Sequence, residues 1–152
     1  MKTTIILGVV GALVTGLAIG IQSTLSTRIG GLIGNFRTGV LMNFIGGLLA
    51  GIISLILTFL QGKSYWNLPT SALVMLVIAG ALGILIITGV SFSLQRTGVA
   101  AGLATVILGQ LVLSVIVDAK GGGGVAPIPI TWTRIAGLLV IAGGVYLLLL
   151  KK

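Results

Sequence analysis

The chain contains no cysteine, no histidine and only one acidic residue, Asp118, among 152 residues. Lacking cysteine, it has no disulfide, no thiolate nucleophile and no soft-metal ligand. Lacking histidine, it has neither the commonest metal ligand nor the commonest general base. A lone carboxylate rules out the paired acids of hydrolytic sites, so an enzyme is not expected and no cofactor or metal site is expected. Charge of either sign is scarce at 7% of residues, where a soluble domain carries about a quarter. Nucleic acid is not an expected partner despite a net charge of +8, because the nine basic residues stand singly or in one terminal pair between apolar runs and form no basic stripe.

What fills the chain instead is hydrocarbon: 57% hydrophobic residues, 25 glycines and a mean hydropathy of +1.29. Such a composition leaves too little polar surface to cover a soluble fold, so the missing polar surface faces lipid. The fold expected is all-α, a polytopic membrane protein of five transmembrane helices in one domain.

The charges divide the chain, since each is costly at the bilayer centre and collects at helix ends. The uncharged stretches hold 25 residues between Lys2 and Arg28, 25 between Arg37 and Lys63, 32 between Lys63 and Arg96, and 21 between Arg96 and Asp118. Each exceeds the ~20 residues that cross a hydrocarbon core of about 30 Å. Between Arg134 and Lys151 only 16 remain, so the last helix starts near Thr131 with Arg134 snorkelling from its first turn. The expected spans are 3–22, 38–61, 70–92, 97–118 and 131–150. The polar segment Gln61 to Pro69 and the run Asp118-Ala119-Lys120 with Gly121 to Gly124, Pro127 and Pro129 read as connections. The first apolar run is long for a signal peptide and reads as a retained helix.

Polar side chains within the spans are the candidates for function, because hydrocarbon penalises them unless they face protein or a cavity. Gln110, Ser114 and Asp118 recur at intervals of four on the fourth helix, sharing one face, with Gln110 near the midplane and Asp118 near the end. Thr15, Gln22 and Ser26 run along the first helix, Asn43 sits about one turn inside the second, and Thr88, Ser91, Ser93 and Gln95 line the end of the third. Hydroxyls can bond their own helix backbone, and any of these groups can simply tie helices together. A midplane glutamine is harder to satisfy within its own helix, so Gln110 is the first candidate substrate-binding residue, followed by Ser114, Gln22, Asn43 and Thr15. Asp118 reads as a helix-end acid, solvated or paired with Lys120 or Arg134, with a coupling acid as the alternative. Glycine pairs four apart, Gly16/Gly20, Gly47/Gly51 and Gly98/Gly102, together with Gly143 and Gly144, are candidate helix-packing positions, within the chain or between copies.

Gly109-Gln110 with Ser114 and Asp118, Ile21-Gln22, Arg28-Ile29-Gly30, and Asn43-Phe44-Ile45-Gly46-Gly47 together resemble the YdcZ-type family of bacterial inner-membrane exporters in the drug/metabolite transporter superfamily. The likeness spans nearly the whole chain. Ser26 stands where the family pattern carries asparagine, and Lys120 to Gly124 replace a more aromatic stretch. The resemblance implies a half-transporter unit in the bacterial inner (plasma) membrane. Larger members of the superfamily carry two such units in inverted orientation, and short members pair two chains to the same end.

The expected function is therefore a secondary transporter exporting a small neutral, zwitterionic or amphiphilic metabolite by alternating access. A non-transporting structural or regulatory membrane subunit is the alternative. The expected partners are membrane lipid, the small-molecule substrate, and a second copy in an antiparallel homodimer, or else a homologous chain. The pairing follows from charge: Lys2, Lys63, Lys120 and Arg134 on one side, four residues, face five on the other, Arg28, Arg37, Arg96, Lys151 and Lys152. A chain of fixed orientation shows a clear cytoplasmic excess instead.

Overall fold

The computed structural model describes residues 2–62, 66–122 and 126–150, with side chains from residue 5 onward. Lys63, Ser64 and Tyr65 of the polar connection, Gly123 and Gly124 of the glycine run, the terminal Lys151 and Lys152, and the Lys2 side chain lie outside that description. Among the described residues five helices follow one another: α1 Lys2–Ile33, α2 Asn35–Gln61, α3 Thr70–Thr97, α4 Val99–Ala119 and α5 Trp132–Leu150. All five are long and apolar enough to cross a membrane, and no strand occurs among the described residues.

The first helix corrects the expected boundary. It continues about three turns beyond residue 22, and α2 begins at Asn35 rather than near 38. Arg28 lies within the helix and does not mark its end. Nothing between residues 23 and 33 breaks a helix, and the hydroxyls there are satisfied by its own carbonyls. Thr24 donates to the Gly20 carbonyl at 2.9 Å, while Ser26 and Thr27 donate to the Ser23 carbonyl at 2.9 and 2.7 Å. The break falls at one residue, Gly34, whose φ of 90° and ψ of 147° are open only to glycine. Gly98 does the same between α3 and α4, at φ 82° and ψ 161°. The carbonyls of both glycines then accept the first turns of the following helices, from Thr38 N at 3.1 Å and Gly102 N at 3.0 Å.

The chain divides into two compact units, Met1–Phe92 and Ser93–Lys152. In the first, α1 and α2 pack together, and the most buried side chains are hydroxyls: Ser23, Ser26, Thr38 and Ser91. All lie toward the Gly34 end, whereas α1 from residue 5 to 18 is exposed throughout. This inversion of the soluble pattern suits a membrane helix, where large apolar side chains meet lipid and small residues let backbones approach. Gly39 is such a point of approach. A Cβ there would overlap the Thr88 hydroxyl and lie 2.6 Å from the Ile84 carbonyl oxygen.

In the second unit α4 packs on α5, and Leu94, Ala101, Gly102 and Val145 are buried. Gly102 sits under Leu94 and Thr97, so this glycine is used within the chain. By contrast Gly16, Gly20, Gly47, Gly51, Gly143 and Gly144 have no atom within 4 Å of an added Cβ. Among the described residues, the space beside these glycines is open.

Candidate functional site

The candidate residues separate by how their polar atoms are satisfied. Thr15 donates to the Gly11 carbonyl at 2.9 Å and Ser114 to the Gln110 carbonyl at 2.8 Å, each one turn back on its own helix. Asn43 does likewise, its Nδ2 donating to the Gly39 carbonyl at 2.8 Å, and its Oδ1 lies against Gly83 of α3. Asn43 also stands at one end of a shallow apolar groove along α2, bordered by Gly47, Gly51 and Leu55.

Gln110 and Gln22 differ. Neither carboxamide has a hydrogen-bond partner among the described residues, and both side chains are exposed. Each lies about 12 residues, roughly 18 Å along its helix, from the glycine that joins that helix to its neighbour. Gln110 is also next to the midpoint of α4, a helix of 21 residues whose length of about 30 Å matches the hydrocarbon core. An amide left unpaired in hydrocarbon costs roughly 2–7 kcal/mol. That penalty makes Gln110 the candidate residue with most to gain from a polar partner.

A second polar cluster joins the three helices of the first unit. The Ser91 hydroxyl lies 2.7 Å from Asn35 Oδ1 and 3.0 Å from the Ser26 carbonyl, so one donor on α3 is shared between α2 and α1. Thr38, in the first turn of α2, donates to the Gly34 carbonyl at 2.9 Å. Ser26 and Ser91 stand out in the sequence as intramembrane hydroxyls. Asn35 does not, because its position at a helix start emerges only once Gly34 is seen to end α1.

Asp118 pairs with Arg134, Nη1 to Oδ2 at 3.2 Å, across the α4–α5 connection. Of the partners open to it from sequence, Arg134 is the one it meets. The pairing is fixed by backbone as well as charge, since Ile128 N donates to the Asp118 carbonyl at 2.9 Å and Ile135 N to the Thr131 carbonyl at 3.1 Å at the start of α5. Both side chains are partly exposed, 29% for Arg134 and 39% for Asp118, as expected at a membrane interface. The chain's one acid is thus engaged at a helix end and is not presented at the depth of Gln110.

The family model described as "Putative inner membrane exporter, YdcZ" matches residues 7–147, which reaches into all five helices and includes every candidate residue above. The chain belongs to the YdcZ family. It is accordingly a multi-pass inner-membrane protein, and membership in the YdcZ exporters gives it a transporter's role. No curated protein and no solved structure matches the chain.

Proposed function

We propose that the chain is a secondary transporter that exports a small neutral, zwitterionic or amphiphilic metabolite by alternating access, working as an antiparallel pair of copies. The observation that carries this reading is the unpaired Gln110 carboxamide, exposed at mid-span in a helix otherwise built for lipid. A substrate held there meets an amide, hydroxyls and apolar walls, the usual lining of small-molecule sites. It meets no carboxylate, because Asp118 is held by Arg134 at the helix end. A cationic substrate exchanged for protons on a central acid is therefore disfavoured.

Five spans give one chain few walls with which to enclose an aqueous path. Two opposed copies would provide the inverted symmetry on which alternating access runs. The near balance of basic residues on the two sides supports insertion in both orientations.

The test is flux in liposomes containing the purified protein, using compounds that first shift its thermal unfolding in detergent. Saturable flux that Gln110→Ala reduces, with the amount of folded protein maintained, is the expected result. An absence of saturable flux for every compound that binds would favour a non-transporting subunit. Unchanged flux from a Gln110→Ala protein that melts earlier would make Gln110 a packing residue.

A further inference from the structure

We infer that Gln110 lies on the two-fold axis of the antiparallel pair, where its carboxamide bonds the same carboxamide of the second copy, so that the polar site at mid-span is built from both chains. The exposed face of α4 points to this pairing. Ile107 is 48% exposed, Leu113 62% and Val117 39%, with Ser114 also exposed, and Gln110 stands among them with no hydrogen-bond partner among the described residues.

The face is nearly symmetric about Gln110. Ile107 and Leu113 lie three residues to either side, Val106 and Ser114 four, and Leu103 and Val117 seven, all on one helical stripe. A two-fold axis through Gln110, perpendicular to the helix, sets Ile107 of one copy against Leu113 of the other and keeps apolar groups largely opposite apolar groups. Depth imposes the same choice. In an antiparallel pair only a residue at the midplane meets its own copy at equal depth, and Gln110 is next to the midpoint of α4.

A carboxamide is self-complementary, with one acceptor oxygen and two N–H donors. Two of them in reciprocal contact satisfy one donor and one acceptor each. Each also retains an N–H and a lone pair directed out of the pair. Those leftover groups suit a neutral or zwitterionic polar head, and neither chain alone presents both sets. The inference rests on the proposed pairing of opposed copies, not on transport itself.

The absence of cysteine permits a direct test by disulfide formation in native membranes. Gln110→Cys should cross-link to itself. Differently tagged Ile107→Cys and Leu113→Cys chains, made together, should cross-link to each other, while each made alone should not, because like residues then sit roughly 9 Å apart in depth. Gln110→Leu should weaken dimerisation in detergent by about tenfold. Self-cross-links at 107 and at 113 without the mixed one would overturn the antiparallel axis. No cross-link from any of the three, with all accumulating at normal levels, would overturn the interface. If Gln110→Cys fails to accumulate, the flanking pair decides alone. A cross-linking chain without saturable flux would leave this interface standing and remove the exporter reading. Flux from a chain that never cross-links would do the reverse.

Discussion

The Ser91 hydroxyl on α3 stands 2.7 Å from the Asn35 carboxamide oxygen at the start of α2, in a site where Ser91 is fully buried. With the Ser26 carbonyl 3.0 Å away on α1, this one donor ties three helices at the Gly34 end of the first unit. Interhelical bonds of this kind contribute about 0.6–2 kcal/mol each in membranes. Ser91→Ala should therefore lower thermal stability in detergent by about 1 kcal/mol. Because Ser91 and Asn35 share the bond, the double variant Ser91→Ala, Asn35→Ala should cost less than the two single changes added together. Additive losses would mean that the two side chains act independently.

Gly34 should be irreplaceable for a backbone reason alone. It has open space around it, yet its φ of 90° is one that an L side chain resists. Gly34→Ala should destabilise by about 1–3 kcal/mol or reshape the joint between α1 and α2. Gly31→Ala, in an equally open site inside the helix, should be neutral or stabilising by up to about 1 kcal/mol. Equal effects in chemical or thermal unfolding would remove the special role of the joint.

Asp118→Asn should leave flux driven by a pH gradient intact. The pair it breaks is partly exposed at an interface, where such pairs contribute about 0–1 kcal/mol, so at most a small decrease in melting temperature is expected. Loss of gradient-driven flux with substrate binding retained would instead make Asp118 the coupling acid.

Orientation is open to measurement without purifying the protein. A reporter fused after Lys152, in cells making this chain alone, should give both cytoplasmic and periplasmic signals, since four basic residues on one side nearly balance five on the other. Signal from one side only would exclude opposed copies of this chain and direct attention to a homologous partner or a parallel assembly.

The sequence by itself determined the class of fold. Uncharged runs longer than a bilayer crossing, with charge confined to their edges, leave a chain in lipid no arrangement but spanning helices. Hydropathy also located α2, α4 and α5 to within about three residues and the start of α3, whose end at Thr97 lies beyond the expected residue 92. It misplaced the end of α1, because charge reports where hydrocarbon stops, whereas a helix stops where the backbone turns, at Gly34. Only the tertiary structure decided which polar groups bond between helices. The hydroxyls of Thr15 and Ser114 bond their own helices, as the sequence allowed, and Asn43 does the same through Nδ2, each donating to a carbonyl four residues back. Ser91, Ser26 and Asn35 meet only because the Gly34 joint brings α1 and α2 side by side for α3 to bridge. Hydropathy sums over residues one at a time, while hydrogen bonding between helices depends on which faces meet, and a single sequence does not carry that information.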